Sequence, residues 1–278
     1  MNGADKVAFC GAVVMLIASA ASVCLPSDRT PGRGRALAQM IPHSMVPSAD
    51  LSVVDITTDK IPKGFTERGT SFYLGNHLWM SARHVLNDQC AHIIMIVGGR
   101  NVAAQLKYND DNADLAVIRA EVPDVTALPL ETGEMQEDDA AYAFGFPQGI
   151  LGGTAGSYLG RTRLKFGGFL SGSAPVLAWT ETSRYPDELD SIAGISGGPV
   201  INEKGNVVGI IVAASVRRGR DYTVAPEILR SVAQQFEVAR GIEPAPVRSL
   251  VTPPVSLSAS ADAMSKTHRI VETYCIPQ

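Results

Sequence analysis

Residues 194–201, Gly194-Ile195-Ser196-Gly197-Gly198-Pro199-Val200-Ile201, run through a polar turn at 202–206 into Val207-Val208-Gly209-Ile210. Three glycines crowd one serine. A nucleophilic hydroxyl must stand exposed beside backbone N–H groups that point at one spot. A tight turn poor in Cβ atoms brings the amides of Gly194 and Ser196 together in that way, as an oxyanion hole. A glycine-rich hairpin turn without chemistry accounts for the same residues when they are read alone. The flanks, 199–201 and 207–212, are β-branched and apolar and read as strands.

Outward from this turn the chain keeps the same texture. Short segments rich in β-branched and aromatic residues fall at 51–58, 70–74, 77–81, 91–97, 102–108, 115–119, 141–146, 176–181, 199–201 and 207–213, with Gly, Pro, Asn or Asp breaking nearly all of them. Many short strands without long helical stretches between them predict an all-β fold, a sandwich or barrels. One helix is expected late, where Pro226 opens a segment whose Ile228, Leu229, Val232, Ala233 and Phe236 follow helical spacing, and it should pack on the second barrel. Beyond Gly241, four prolines and several serines read as a linker, followed by a tail, 266–278, too short to be a domain. No internal repeat is found, and no room for a second peptide-binding module.

Gly194 to Gly198 also fits the G-x-S-x-G elbow of α/β-hydrolases, but an elbow serine opens a helix and precedes its acid and its histidine. Here strands follow, and the one later histidine is His268 in the tail. Upstream lie Gly69-Thr70-Ser71-Phe72-Tyr73-Leu74-Gly75, then His77-Leu78-Trp79-Met80-Ser81-Ala82-Arg83-His84-Val85, then Asn112-Ala113-Asp114-Leu115-Ala116-Val117-Ile118. These three stretches resemble bacterial trypsin-like peptidases, including the HtrA-like ones, in which a GTGF-type strand and a second strand lead into the catalytic histidine and a D-x-A-[VL] strand carries the aspartate. The order His, Asp, Ser is that of the chymotrypsin type. The resemblance spans roughly 51–236 and implies a chymotrypsin-like double β-barrel with a C-terminal helix, in a peptidase domain at 51–240. It implies a serine endopeptidase in which Ser196 attacks the scissile carbonyl, His84 relays the proton and Asp114 orients the imidazole. Asp110 and Asp111 are close by, but only Asp114 directly precedes the apolar strand. His43, His77, His92 and His268 lack such surroundings.

The departures from the family pattern carry information. Arg83 stands where a small residue is usual, and Val212 where a serine often helps to hold the aspartate. Ile195 replaces the aspartate that pairs with a new N-terminus in digestive trypsins, so activation by N-terminal trimming is not expected. Ile96-Val97-Gly98-Gly99 looks like a trypsin activation sequence, but it follows His84 inside the first barrel and reads as strand and turn. Asp190 lies six residues before Ser196, where trypsins place the acidic floor of the pocket for Arg or Lys. The resemblance therefore gives a preference for a basic residue before the cut. A solvated loop acid, or a partner for Arg184, is the plainer reading of Asp190. By the same analogy Ala213, Ala214 and Ser215, with Tyr222, Thr223 and Val224, form the pocket walls. An inactive trypsin-fold scaffold or binding protein is the alternative function.

Of the 278 residues, 45% are apolar and 19% charged, an ordinary globular make-up, and the net charge of −4 argues against nucleic acid, which needs a concentrated basic face. Protein or peptide substrates are the expected partners, and no cofactor or metal is expected because no residue pair shows ligand spacing. The oligomeric state stays open.

At the N-terminus, Lys6 precedes an apolar run from Val7 to Leu25, which predicts export to the periplasm or medium on a signal at 1–25 followed by a flexible lead-in at 26–50. Cleavage after Ala20 or Ala38, an uncleaved membrane anchor and lipidation at Cys24 all stay open. Removing the signal leaves Cys90 and Cys275 as one pair, either a disulfide or two separate buried thiols.

Overall fold

The computed structural model describes residues 54–58, 65–87, 89–110, 112–168, 172–238 and 256–277. The expected signal and lead-in at 1–50, and residues 239–255 of the linker, lie outside the described residues. The described residues open with a short strand, β1 (Val54–Thr58), and then run through β2 (Glu67–Gly75), β3 (Leu78–Ala82), β4 (Cys90–Val97), β5 (Arg100–Asp110) and β6 (Leu115–Arg119). A second group follows: β7 (Ala140–Gly145), β8 (Gly152–Gly168), β9 (Gly172–Tyr185), β10 (Pro199–Asn202), β11 (Val207–Ser215) and β12 (Arg220–Val224). Helices α1 (Pro226–Gln235) and α2 (Leu257–Lys266) lead to the last strand, β13 (Ile270–Pro277).

The strands form two closed six-stranded barrels. The first has the order β13-β2-β3-β6-β5-β4, and in the second β8-β7-β10-β11-β12-β9 is closed by pairing of β8 with β9, with β1 laid parallel on β8. Closure removes the free edges that would otherwise pair with other chains. Period-two patterning sets the faces: in β4, Ile93, Met95 and Val97 are buried while His92 is exposed and Ile94 and Ile96 are half-buried. Phe72, Trp79, Met80, Met95, Leu115 and Ile118 are fully buried in and around the first barrel. Tyr158 and Trp179 pack with ring centroids 5.3 Å apart in the second. Helix α1 buries Leu229, Val232 and Ala233, and it packs against β11 of the second barrel.

The C-terminal segment departs from the sequence expectation. The last part of the presumptive linker, from Leu257, is helix, and the tail is an integral strand. β13 pairs antiparallel with both β2 and β4 and closes the first barrel. Thr273 donates its hydroxyl hydrogen to Ser71 Oγ at 2.7 Å in the interior. Cys275 is disulfide-bonded to Cys90 on β4, a separation of 185 residues with Cα atoms 5.1 Å apart. By the chain-entropy estimate, a crosslink that closes so long a loop restricts the unfolded chain by about 5 kcal/mol.

Strand β8 is unforeseen because six glycines dilute its pattern. Gly153 and Gly156 are required there, since a Cβ would lie 2.3 Å from Ala143 O and 2.4 Å from Thr180 O, inside neighbouring backbone.

Candidate active site

His84 sits in the turn that follows β3, and Asp114 immediately precedes β6, the strand paired with β3. The register that puts Ala82 opposite Leu115 therefore delivers the two side chains to the same end of the first barrel. Asp114 is fully buried and holds the histidine at two points. Its Oδ1 accepts the His84 backbone N–H at 2.8 Å, and its Oδ2 lies 2.7 Å from His84 Nδ1. Its carbonyl also accepts the Arg83 N–H at 3.0 Å. Asp114 takes φ +54, a left-handed conformation that a short polar side chain tolerates. Nε2 of His84 makes no hydrogen bond among the described residues, so the ring nitrogen away from Asp114 is the one available to a reacting group. Burial opposes protonation of this imidazole, but the charge and hydrogen bond of Asp114, with a smaller contribution from Glu67, outweigh it and hold His84 above the usual histidine range.

Ser196 lies half-buried in the turn before β10. The amides around it divide into two sets. Ile195, Gly197 and Gly198 donate to Ile192 O, Ile211 O and Ile195 O at 3.0, 2.8 and 2.8 Å. The N–H groups of Gly194 and Ser196 donate no backbone hydrogen bond among the described residues. Their peptide planes are nevertheless fixed from the carbonyl side: Ala193 O accepts from Gln148 N–H at 2.6 Å, and Ile195 O from Gly198 N–H. In a trans peptide the N–H points opposite its carbonyl, so both free donors are aimed by bonds made on the other side of the plane. Gly194 adopts φ +102 and Gly197 φ +84, and a Cβ on Gly197 would meet Thr70 O at 2.2 Å.

One organising residue of the site goes unrecognised in the sequence. Thr70 on β2 is fully buried and joins the first barrel to the serine turn. Its N–H donates to Ser196 O at 2.8 Å, its hydroxyl donates to Gly194 O at 2.9 Å, and that same Oγ1 accepts from Phe146 N–H at 3.1 Å. Ser81 Oγ in turn donates to Thr70 O at 2.7 Å. The Gly69-Thr70 motif was visible, but its bonds reach more than a hundred residues along the chain. Thr70→Val leaves Gly194 O and Phe146 N–H without their partner, and it is expected to lower kcat/KM by about 10- to 100-fold through misplacement of the free amides. Steady-state kinetics beside a melting curve measures this.

Neighbouring Gly69 completes the junction. A Cβ there would lie 2.5 and 2.7 Å from the Val85 methyls and 2.9 Å from Ser196 O. The histidine turn and the serine turn thus close on β2 from two sides.

The remaining predicted positions are less concentrated. Asp190 is exposed. Arg184 pairs with Glu181 at 2.6 Å and donates to Leu189 O. Ala213, Ala214 and Ser215 end β11 opposite Tyr222, Asp221 and Arg220 of β12. A second acid, Asp221, was not foreseen. It is buried beside Thr154 Oγ1 at 3.3 Å, and burial together with the Glu181 charge pushes it up to about 7. His77 is half-exposed with Nδ1 2.9 Å from Glu121, His92 is exposed, His268 is half-buried at the end of α2, and His43 and Asp111 lie outside the described residues.

Two closed barrels, with an imidazole anchored to a buried carboxylate near a glycine-rich serine turn, define a chymotrypsin-type protein. The chain belongs to the trypsin-like peptidase family, whose domain matches residues 69–210. HhoA of Synechocystis sp., assigned by name as a serine protease, is 29% identical over 154 residues, 52% of this chain and 36% of HhoA. The match thus spans about a third of that relative's length. The active form of the Rv3671c protease from M. tuberculosis superposes with a TM-score of 0.52 at 16% identity, over 81% of this chain and 97% of that one. The HtrA-type protease AlgW with a decapeptide gives 0.50 at 21% identity, over 61% and 51%. At these identities the two structures bear on the fold alone.

Proposed function

We propose that the protein is an exported serine endopeptidase that cleaves peptide bonds through an acyl-enzyme on Ser196. The observation that carries this reading is the two-point hold of Asp114 on His84. It fixes Nδ1 as the protonated nitrogen and leaves Nε2 as a base. Ser196 Oγ adds to the scissile carbonyl while its proton passes to Nε2. The N–H groups of Gly194 and Ser196 take the charge that develops on the carbonyl oxygen. The imidazolium, stabilised by Asp114, then gives the proton to the leaving amine, and water cleaves the acyl-enzyme by the same steps in reverse order. The Cys90–Cys275 disulfide supports residence in an oxidising compartment.

Incubation of the purified protein with fluorescein-labelled casein tests the activity, with Ser196→Ala as control. Peptide release by the wild type alone is expected. No release by the wild type argues for a binding scaffold instead, and equal release by both proteins overturns the role of Ser196.

A basic residue before the cut remains the reading for specificity, with Asp190 as its acid. Asp190 is exposed and joins no ion pair among the described residues, which leaves its charge available. Reporter peptides with Arg before the cut are expected to outpace Phe reporters by about 10-fold, with the advantage lost in Asp190→Ser. Equal rates unaffected by the substitution would sink this assignment.

A further inference from the structure

Glu67, the first residue of β2, helps to raise the pKa of His84 through its charge, and the strand sets it on the same side as the reacting groups. The pairing of β2 with β13 is regular from Phe72 opposite Ile270 to Glu67 opposite Cys275. No bulge reverses the alternation, so Glu67 and Gly69 face the same way. Gly69 on that face lies against Val85 and Ser196 O. Glu67 is one step further along, at the end of the strand where Cys275 is tied to Cys90.

The side chain is half-buried and makes no hydrogen bond or ion pair among the described residues. Burial raises its pKa, and His84 is the charged group that acts against that rise. A partly desolvated carboxylate without an ion-pair partner among the described residues is an unfilled electrostatic site.

The two halves of a substrate fall on different barrels. The acyl carbonyl belongs at the Gly194 and Ser196 amides, on the second barrel. The leaving amine takes its proton from His84, on the first barrel, and Glu67 belongs to that barrel and that side.

We propose that Glu67 is a specificity-determining residue that receives a lysine or arginine side chain from the first two residues of the leaving segment. This rests on the endopeptidase reading above. The ligand is a primary ammonium or guanidinium borne on a peptide, with the carboxylate as its counter-charge.

The test is digestion of a proteome-derived peptide library by the full protein and by Glu67→Gln and Glu67→Lys, with cleavage sites read by mass spectrometry. Lys and Arg are expected to be enriched about 5- to 10-fold in the first two leaving positions with the wild type. The enrichment disappears in Glu67→Gln and turns to Asp and Glu in Glu67→Lys, while the acyl-side preference is unchanged in all three. Cleavage with the same leaving-side profile in all three proteins overturns the role of Glu67 and leaves the endopeptidase reading intact. Absence of any cleavage by the wild type overturns both. Glu67→Gln is nearly isosteric, and Glu67→Lys provides an independent reversal of charge should either variant fold poorly.

Discussion

Ser196→Ala is expected to lower kcat by about 10⁶-fold while leaving Tm within about 2 °C of the wild type. The hydroxyl is the one atom lost, and it lies on a half-buried residue whose turn is held by other groups. Thr70 N–H donates to the Ser196 carbonyl, and the N–H groups of Gly197 and Gly198 donate to Ile211 O and Ile195 O. None of these contacts involves the side chain, so the free amides of Gly194 and Ser196 keep their aim. Without Oγ no acyl-enzyme forms, and the residual rate is what transition-state binding alone supports, about 10³- to 10⁴-fold over water. The double variant Ser196→Ala with His84→Ala is expected to be no slower than either single one, because the groups act as a unit. Stopped assays with a quenched peptide and parallel thermal melts measure both quantities. A fall of less than about 100-fold would assign the chemistry to another residue.

Asp114→Asn is expected to lower kcat by about 10⁴-fold at neutral pH. The two hydrogen bonds explain why so small a change is so costly. His84 N–H donates to one carboxylate oxygen and Nδ1 lies against the other. An asparagine that keeps its carbonyl toward the backbone N–H presents its NH₂ to Nδ1, which must then accept. The ring proton moves to Nε2, and the nitrogen meant to receive the serine proton is already occupied.

The pH profile gives a second reading of the same group. The base works only when neutral, so kcat/KM falls as pH drops through the pKa of the free enzyme's His84. That value stands above the ordinary histidine value of about 6.5 because Asp114 and Glu67 outweigh burial. In Asp114→Asn the largest raising influence is gone while burial remains, so the acidic limb is expected to move to lower pH. A limb that moves to higher pH would contradict the role given to Asp114.

His84 and Ser196 stand out in the sequence as candidates because dense local patterns surround them. Asp114 rested on a shorter pattern, and its neighbour Asp110 turns out to serve the loop itself. Asp110 Oδ1 accepts from Asn112 N–H and Ala113 N–H, and Oδ2 from the Tyr108 hydroxyl. What stayed hidden depends on distant partners. The strand at 270–277 alternates well enough to be recognised, but its place in the first barrel is set by pairing with residues near 70, which no local window contains. Strand β8 gives up its apolar pattern for the glycines that let adjacent backbones approach. Thr70 is one polar residue among many until the folded chain brings Gly194, Ser196 and Phe146 around it. Asp221 is unremarkable as a residue type, and its burial comes from barrel closure.

The most direct measurement is treatment of the purified full-length protein with a fluorophosphonate at neutral pH, followed by proteolysis and mass spectrometry of the adduct. One adduct is expected, on the peptide that carries Ser196, with slower formation in Asp114→Asn and none in Ser196→Ala. Unmodified wild-type protein, or an adduct on any other residue, would contradict a triad of His84, Asp114 and Ser196.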